Sequence, residues 1–423
     1  MSAAVTHRTT CRLCESASLE LVIPMPATPI ADAYVPADRV NIPQPSYPLD
    51  LYFCRACGHL QLSDVVDPEL LFRDYLYVTA SSLGLVEHFR RYVQEVVERI
   101  GPAAGSLTVE IGSNDGSLLR AFQARGLRVL GVDPARQIAR QATEAGLPTL
   151  PAFFTRMLAA QIRQEHGPAG LIAANNVFAH ADDLGGIADG VRELLASDGV
   201  FVFEVSYLLD VIEKTLFDTV YHEHLCYHAV APLAAFFARH GLELFDAQRI
   251  ATKGGSLRGF AQRAGGPRRV SSMVGELIAL ERSRGLDRAE TFHGFSDHLQ
   301  ALKREVHGAL RPLAEEGKTI VGYGASPSVT TLLHAFELAP FFRFIVDDNP
   351  LKQGLFSPGH HLPVVPSRAL YEQSVDAVVI LAWTYAQPIL KRHQAFLDRG
   401  TVIVPLPRVQ ILGRSPVAAE RAP

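Results

Sequence analysis

With 423 residues, 48% of them apolar, the chain exceeds the size at which a single hydrophobic core stops growing, so two or three domains are expected. A formal net charge of -4 argues against a surface built to neutralise phosphates, and so against a nucleic-acid-binding protein. No apolar run approaches the roughly 20 residues that a membrane-spanning helix needs, so a cytoplasmic protein with no membrane partner is expected.

The first motifs in chain order are Cys11-Arg12-Leu13-Cys14 and Cys54-Arg55-Ala56-Cys57, which use four of the five cysteines. Each Cys-x-x-Cys turn offers two thiolates, and two such turns close a four-sulfur tetrahedral shell with no place left for water. The expected metal is therefore a structural zinc on Cys11, Cys14, Cys54 and Cys57. A disulfide framework would need an oxidising compartment, and the short polar stretch after Met1 does not read as a signal peptide. A redox pair would be single and precede a helix. Only Arg8, Arg12, Arg39 and Arg55 lie near the knuckles, too few basic residues for a nucleic-acid-binding zinc ribbon. Cys226 reads as a packed thiol and His59 as an ordinary knuckle neighbour. The prolines between the knuckles, from Pro24 to Pro48, predict extended loop and short strand, and residues 1–74 read as a small zinc-binding domain.

From 75 to 269 helix and strand alternate: a helix over 86–100, then strands at 107–111, 129–133, 170–175 and 199–204. This pattern predicts a doubly wound parallel sheet. The strand Leu107–Ile111 runs into Gly112-Ser113-Asn114-Asp115-Gly116 and then a helix, a crevice in which the backbone comes close to a ligand and helix amides are unpaired. The next strand ends at Asp133, where an α/β fold places an acceptor for ribose hydroxyls. The turn lacks the central glycine that makes room for a pyrophosphate, and Glu110 and Asp115 would repel phosphates. A sulfonium cofactor with a free amino group suits those charges, which favours S-adenosylmethionine over NAD. An ordinary strand-to-helix turn is the bland alternative. The candidate cofactor residues are Glu110, Gly112, Asn114, Asp115, Gly116, Asp133 and Asn175.

Tyr221-His222-Glu223-His224 gathers a phenol, two imidazoles and a carboxylate in four consecutive positions. That density of proton-transfer groups marks the candidate reacting centre, although structural networks also gather titratable groups. Helical periodicity then covers 270–316, and strands at 319–323, 342–346, 377–381 and 401–405 predict a second α/β domain over 270–414. Its glycine turn, Gly322-Tyr323-Gly324-Ala325-Ser326-Pro327, is a weak dinucleotide signature because proline replaces the third small residue. Ser326, Ser328, Thr330 and Thr331 there offer hydroxyls suited to a diphosphate beside a helix start.

These strings, with Asn176-Val177-Phe178-Ala179-His180, Gly254-Gly255-Ser256-Leu257-Arg258 and Asp348-Asn349-Pro350-Leu351-Lys352-Gln353-Gly354, appear together and in this order. The chain thereby resembles, over nearly its whole length, the nucleotide-sugar C-methyltransferases of deoxysugar and antibiotic biosynthesis, the tetronitrose C-3'-methyltransferase group included. The resemblance implies a zinc-binding N-terminal domain, a class I S-adenosylmethionine-dependent methyltransferase domain and a C-terminal Rossmann-like domain that helps hold a dTDP-type 4-keto sugar. It implies His224 as the base, Glu223 and Tyr221 orienting it or the sugar, and His180 and Tyr75 polarising the ketone. A monomer is expected. Similar sequences often carry a lysine after the Gly-Tyr-Gly-Ala turn, and Ser326-Pro327-Ser328-Val329 has none, which leaves the nucleotide open. Methylation at C-5, epimerisation through the same enolate, and a non-catalytic S-adenosylmethionine-binding scaffold are the other readings.

Overall fold

The computed structural model describes residues 4–72 and 84–413, and the expected site residue Tyr75 lies outside the described residues. By its contacts the chain divides into two compact units. One is Met1–Glu20, Tyr52–Val211 and Leu225–Ala289, and the other is Leu21–Leu51, Ile212–His224 and Glu290–Pro423. The two knuckles thus share a unit with the first α/β sheet, while the proline-rich stretch between them and the Tyr-His-Glu-His segment belong to the second.

The chain opens with strands β1 (Val5–His7), β2 (Leu19–Ile23), β3 (Leu51–Cys54), β4 (Leu60–Leu62) and β5 (Asp64–Val66), of which β1 pairs antiparallel with β5. The first unit's main sheet is made of β6 (Leu107–Ile111), β7 (Arg128–Val132), β8 (Thr149–Leu150), β9 (Ala169–Asn175), β10 (Leu195–Ser206), β12 (Leu242–Ile250) and β13 (Ser256–Arg263), while the short β11 (Cys226–Tyr227) pairs with β4. Its order is β12-β13-β10-β9-β6-β7-β8. Strands β6 to β10 are parallel, as the alternating pattern predicts, but β13 is antiparallel to both β10 and β12. The sheet is therefore mixed rather than wholly parallel. Only five residues join β12 to β13, too few for the crossover that a parallel pair requires.

The helix Leu85–Ile100 covers one face of this sheet. Leu85, Phe89, Tyr92, Val93 and Val96 recur at helical spacing and pack on Leu171, Ala173, Val200, Val202 and Phe260. Each such burial contributes about 1.5–3 kcal/mol. The helical periodicity over 270–316 is realised as two helices, Ser272–Ser283 and Ala289–Glu315, separated by a break at Gly285 with φ 72°. Glycine takes that left-handed conformation without strain.

In the second unit β14 (Ile320–Tyr323), β15 (Phe342–Asp347), β16 (Val364–Pro366), β17 (Ala377–Ile380), β18 (Thr401–Val404) and β19 (Gln410–Gly413) form one sheet in the order β16-β15-β14-β17-β18-β19. All neighbours are parallel except β18 and β19. Part of the proline-rich stretch packs here. Thr28 bridges to Tyr47 and Val35 to Phe356, and the Thr330 hydroxyl donates to the Ala31 carbonyl at 2.7 Å.

Candidate active site and metal centre

The four knuckle sulfurs lie within 4.8 Å of one another, with Cys11 Sγ 3.6 Å from Cys57 Sγ and Cys14 Sγ 3.4 Å from Cys54 Sγ. These separations are far longer than the about 2.05 Å of a disulfide and near the about 3.8 Å edge of a tetrahedron with 2.3 Å zinc–sulfur bonds. Each turn is closed by its own backbone: Glu15 N–H donates to Cys11 O and Gly58 N–H to Cys54 O, both at 2.8 Å. The hydrogen bond with Cys57 pulls the Cys11 thiol down to about 5, while the same bond pushes Cys57 up. Four sulfurs so close cannot all ionise without a cation, and zinc fits both their chemistry and their spacing. Cys226 is buried and pushed up to about 12 by that burial, as an inert packed thiol should be. His59 is more than a neighbour of the knuckle: fully buried, it stacks on His228 at 5.5 Å between ring centroids.

The first glycine turn leaves β6 through Gly112, whose φ is 69°. A Cβ there would lie 2.3 Å from Val177 Cγ2, so only glycine lets the turn approach the loop after β9. Asp133, at the end of β7, organises this turn: Oδ2 accepts from Asn114 N–H at 2.8 Å and Oδ1 from Ala135 N–H at 2.9 Å. Asp115 Oδ1 accepts from Ser117 N–H at 3.0 Å, at the start of the helix Ser117–Gln123. Glu110 is 3% exposed, and burial, followed by the charges of Asp133 and Asp115, raises its pKa well above the usual carboxylate range. Its Oε2 is buried and has no hydrogen-bond partner among the described residues. Such an orphan fits a ligand that brings a cationic donor. Asn175, at the end of β9, is also buried and faces the Tyr92 hydroxyl. The adjacent strands β7, β6 and β9 thus bring Glu110, Gly112, Asn114, Asp115, Gly116, Asp133 and Asn175 to one edge. His180 follows on the loop after β9, its N–H donating to Val177 O and its ring stacked on Phe72.

Tyr221, His222, Glu223 and His224 lie in the second unit. His224 Nδ1 donates to the Thr219 carbonyl at 2.7 Å, so Nδ1 carries a proton and, in the neutral ring, the basic nitrogen is Nε2. The Tyr221 ring lies 4.0 Å from the His224 ring, centroid to centroid. His222 is an anchor instead. It is 1% exposed, donates from Nε2 to the Tyr47 carbonyl at 3.1 Å and meets the Tyr47 ring edge-on. Glu223 is also buried.

At the second glycine turn, Gly324 has φ 112°, and a Cβ there would lie 2.5 Å from Ala382 Cβ. Two of the four hydroxyls expected to serve a diphosphate are committed elsewhere. Thr330 bonds Ala31 O, and Thr331 donates to Val220 O at 2.6 Å, so both are buried anchors. Ser326 and Ser328, 3.0 Å apart, remain at the start of the helix Pro327–Ala335.

Sequence reasoning also passed over two buried polar groupings. Arg258 is 1% exposed inside β13, and its guanidinium meets Glu204 at 3.0 Å, Glu95 at 2.6 Å and the Tyr92 ring at 4.4 Å. Its motif was visible, but its distant acid partners were not. The second grouping is Asp218 with Trp383, whose Nε1–H donates to Asp218 Oδ2 at 2.9 Å.

Family comparisons cover the chain in the same order as these features. Residues 11–72 match a zinc-binding domain, 85–247 a methyltransferase domain and 251–407 the C-methyltransferase C-terminal domain. Four clustered cysteines ahead of a methyltransferase sheet and a second α/β unit define an S-adenosylmethionine-dependent methyltransferase with a structural zinc. More particularly, the chain belongs to the C-methyltransferase family, being 35% identical over 404 residues to the C-methyltransferase NovU of Streptomyces niveus, a span of 95% of this chain and 96% of that one. Among solved structures, an S-adenosylmethionine-dependent methyltransferase of Clostridium acetobutylicum aligns at TM-score 0.35 and 13% identity, over 43% of this chain and 92% of that one. The magnesium protoporphyrin IX methyltransferase of Synechocystis aligns at TM-score 0.32 and 16% identity, over 43% and 81%.

Proposed function

We propose that this C-methyltransferase acts on a nucleotide-linked 4-keto deoxysugar, of dTDP type, and methylates C-3 beside the ketone with His224 as the base. The observation that carries this reading is the Thr219 carbonyl on His224 Nδ1 at 2.7 Å, because a histidine held in that tautomer has its basic lone pair on Nε2.

A sugar carbon becomes nucleophilic only when a neighbouring ketone makes its proton removable. His224 Nε2 takes that proton, and the electron pair of the C–H bond moves toward the ketone oxygen to give an enolate. His180 and Tyr75 donate to that oxygen as charge develops on it. Glu223 and Tyr221 orient the base or the sugar. S-adenosylmethionine would supply an electrophilic methyl group on its sulfonium: the methyl–sulfur bond would break as the new bond to the sugar carbon forms, and S-adenosylhomocysteine would leave. Glu110, Gly112, Asn114, Asp115, Gly116, Asp133 and Asn175 hold the donor, with the orphaned Glu110 Oε2 suited to its ammonium group and Asp133 to its ribose hydroxyls. Ser326, Ser328 and the amides that start the helix Pro327–Ala335 are suited to the diphosphate.

The test is the solvent-deuterium exchange of the sugar α-proton together with methyl transfer. Both should fall by about 10²–10⁴-fold in His224→Ala, with both ligands still bound by calorimetry. A near wild-type rate in that variant would place the base elsewhere.

A further inference from the structure

Asp218 lies six residues before His224, is 3% exposed, and takes no part in the chemistry above. Its Oδ2 accepts from Trp383 Nε1–H at 2.9 Å, its Oδ1 is buried with no hydrogen-bond partner among the described residues, and the Ser328 hydroxyl lies close enough to favour the charged form slightly. Among the described residues these partners are all neutral. A carboxyl buried with neutral donors is pushed up, here to about 7. The short 3-10 turn Phe217–Thr219 that carries Asp218 also presents the Thr219 carbonyl to His224 Nδ1. The same loop is tied down twice more, by the Thr331 hydroxyl on Val220 O at 2.6 Å and by the Phe217 ring stacked on Phe336 at 4.9 Å. Ser328 and Thr331 lie on the helix Pro327–Ala335 that follows the second glycine turn, and Trp383 lies just beyond β17, the neighbour of β14. The carbonyl that selects the tautomer of the base is therefore held from the ends of two adjacent strands.

We propose that Asp218 and Trp383 are positioning residues for the base: their hydrogen bond sets the Phe217–Thr219 turn and, through the Thr219 carbonyl, the tautomer and aim of His224. This inference rests on the reading of His224 as the base. It makes the nucleotide turn and the base loop one mechanical piece, so that binding at Ser326 and Ser328 and placement of the base are coupled. It also gives a sign for pH: ionised Asp218 beside Ser328 opposes a diphosphate, so nucleotide-sugar affinity falls as pH rises through the pKa of about 7.

The test uses the full chain with S-adenosylmethionine and a dTDP-linked 4-keto sugar. Trp383 is the chain's single tryptophan, so its emission reports on the pair directly. In the wild type the emission should titrate with a midpoint near 7. The titration should vanish in Asp218→Asn, which keeps an oxygen for Nε1–H but carries no charge. Trp383→Phe keeps a ring and loses the donor, so kcat should drop by about 10- to 100-fold with affinity for S-adenosylmethionine unchanged. Asp218→Leu should lose activity in the same way, while Asp218→Asn retains most of it. Wild-type emission that is flat with pH contradicts the pair. Activity in a parallel His224→Ala variant overturns the base itself. An inactive His224→Ala beside a folded Trp383→Phe of wild-type kcat overturns the positioning proposal alone, and that comparison decides even where Asp218→Leu does not fold.

Discussion

Asp133 and Asp347 hold equivalent positions in two different sheets and make the same two bonds. Asp133 accepts from Asn114 and Ala135 N–H, and Asp347 from Ala325 N–H at 2.6 Å and Asn349 N–H at 2.7 Å. In each case the acid at the end of the second strand closes the glycine turn at the end of the first and still has lone pairs to spare. Asp133→Ala should therefore lower stability by about 1–3 kcal/mol, because two amides lose their acceptor, and should weaken S-adenosylmethionine by roughly tenfold or more. Calorimetry finding unchanged affinity in the folded variant would contradict the placement of Asp133 against the ribose. Asp218 supplies a stability prediction of opposite character. Burial raises its pKa from 3.8 to about 7, so the protonated form is the one the fold prefers. Its contribution is complete below the unfolded-state value and is lost as pH rises through about 7, at a cost of up to roughly 4 kcal/mol. Asp218→Asn should gain stability relative to the wild type on moving from acidic to alkaline pH, as read by thermal unfolding at several pH values. A pH-independent difference between the two would contradict this.

The turns and strands around these acids respond to backbone geometry. Gly112 and Gly105 have similar φ, 69° and 72°, but a Cβ at Gly112 collides with Val177 whereas nothing lies within 4 Å at Gly105. Gly105→Ala should cost about 1–2 kcal/mol for the left-handed backbone alone, and Gly112→Ala measurably more, with loss of S-adenosylmethionine binding. Equal melting temperatures for the two variants would argue against the close approach of the turn to Val177. The strands at 107–111, 129–133 and 377–381 were legible because buried parallel strands are continuous apolar runs between turn residues. The hairpin of β12 and β13 was not, since Glu243, Asp246, Arg249 and Arg258 break the apolar pattern. Three of those charges are compensated by partners distant in sequence: Arg99 pairs with Asp246, Asp210 with Arg249, and Glu204 with Arg258, while the half-buried Glu243 accepts from the Gln262 amide. The Tyr-His-Glu-His string was visible as a density of titratable groups, but its separate roles were not. Only the fold reveals that His222 anchors to Tyr47 while His224 is aimed by Thr219, and that Thr330 and Thr331 are anchors rather than ligand hydroxyls.

At the scale of the whole chain, the sequence crosses between the two units several times, since each unit is built from three separate segments. Contiguous reading of the sequence finds the knuckles and the two glycine turns, but it cannot assign 21–51 and 212–224, whose contacts lie with residues far along the chain. Among the described residues no helix is long and apolar enough to cross a membrane. The knuckles are built into the first unit: Arg12 donates to the Leu62 carbonyl, and its Nε meets Asp182 at 2.9 Å. Cys54→Ser should release the zinc, lower the first melting transition and leave the residues around Glu110 and Asp133 able to bind S-adenosylmethionine at reduced temperature. Metal analysis finding no zinc in carefully purified wild-type protein would contradict the metal centre.

The central claim is methyl transfer to a sugar carbon through an enolate formed by His224. Its most direct test is incubation of the purified protein with S-adenosylmethionine and a panel of nucleotide-linked 4-keto sugars, with mass spectrometry and carbon-resolved NMR of the products. The account predicts one added methyl group on C-3, beside the ketone, with the wild type and none with His224→Ala. A methyl group found on oxygen, no gain with any 4-keto sugar, or the same C-methylated product from His224→Ala would contradict it.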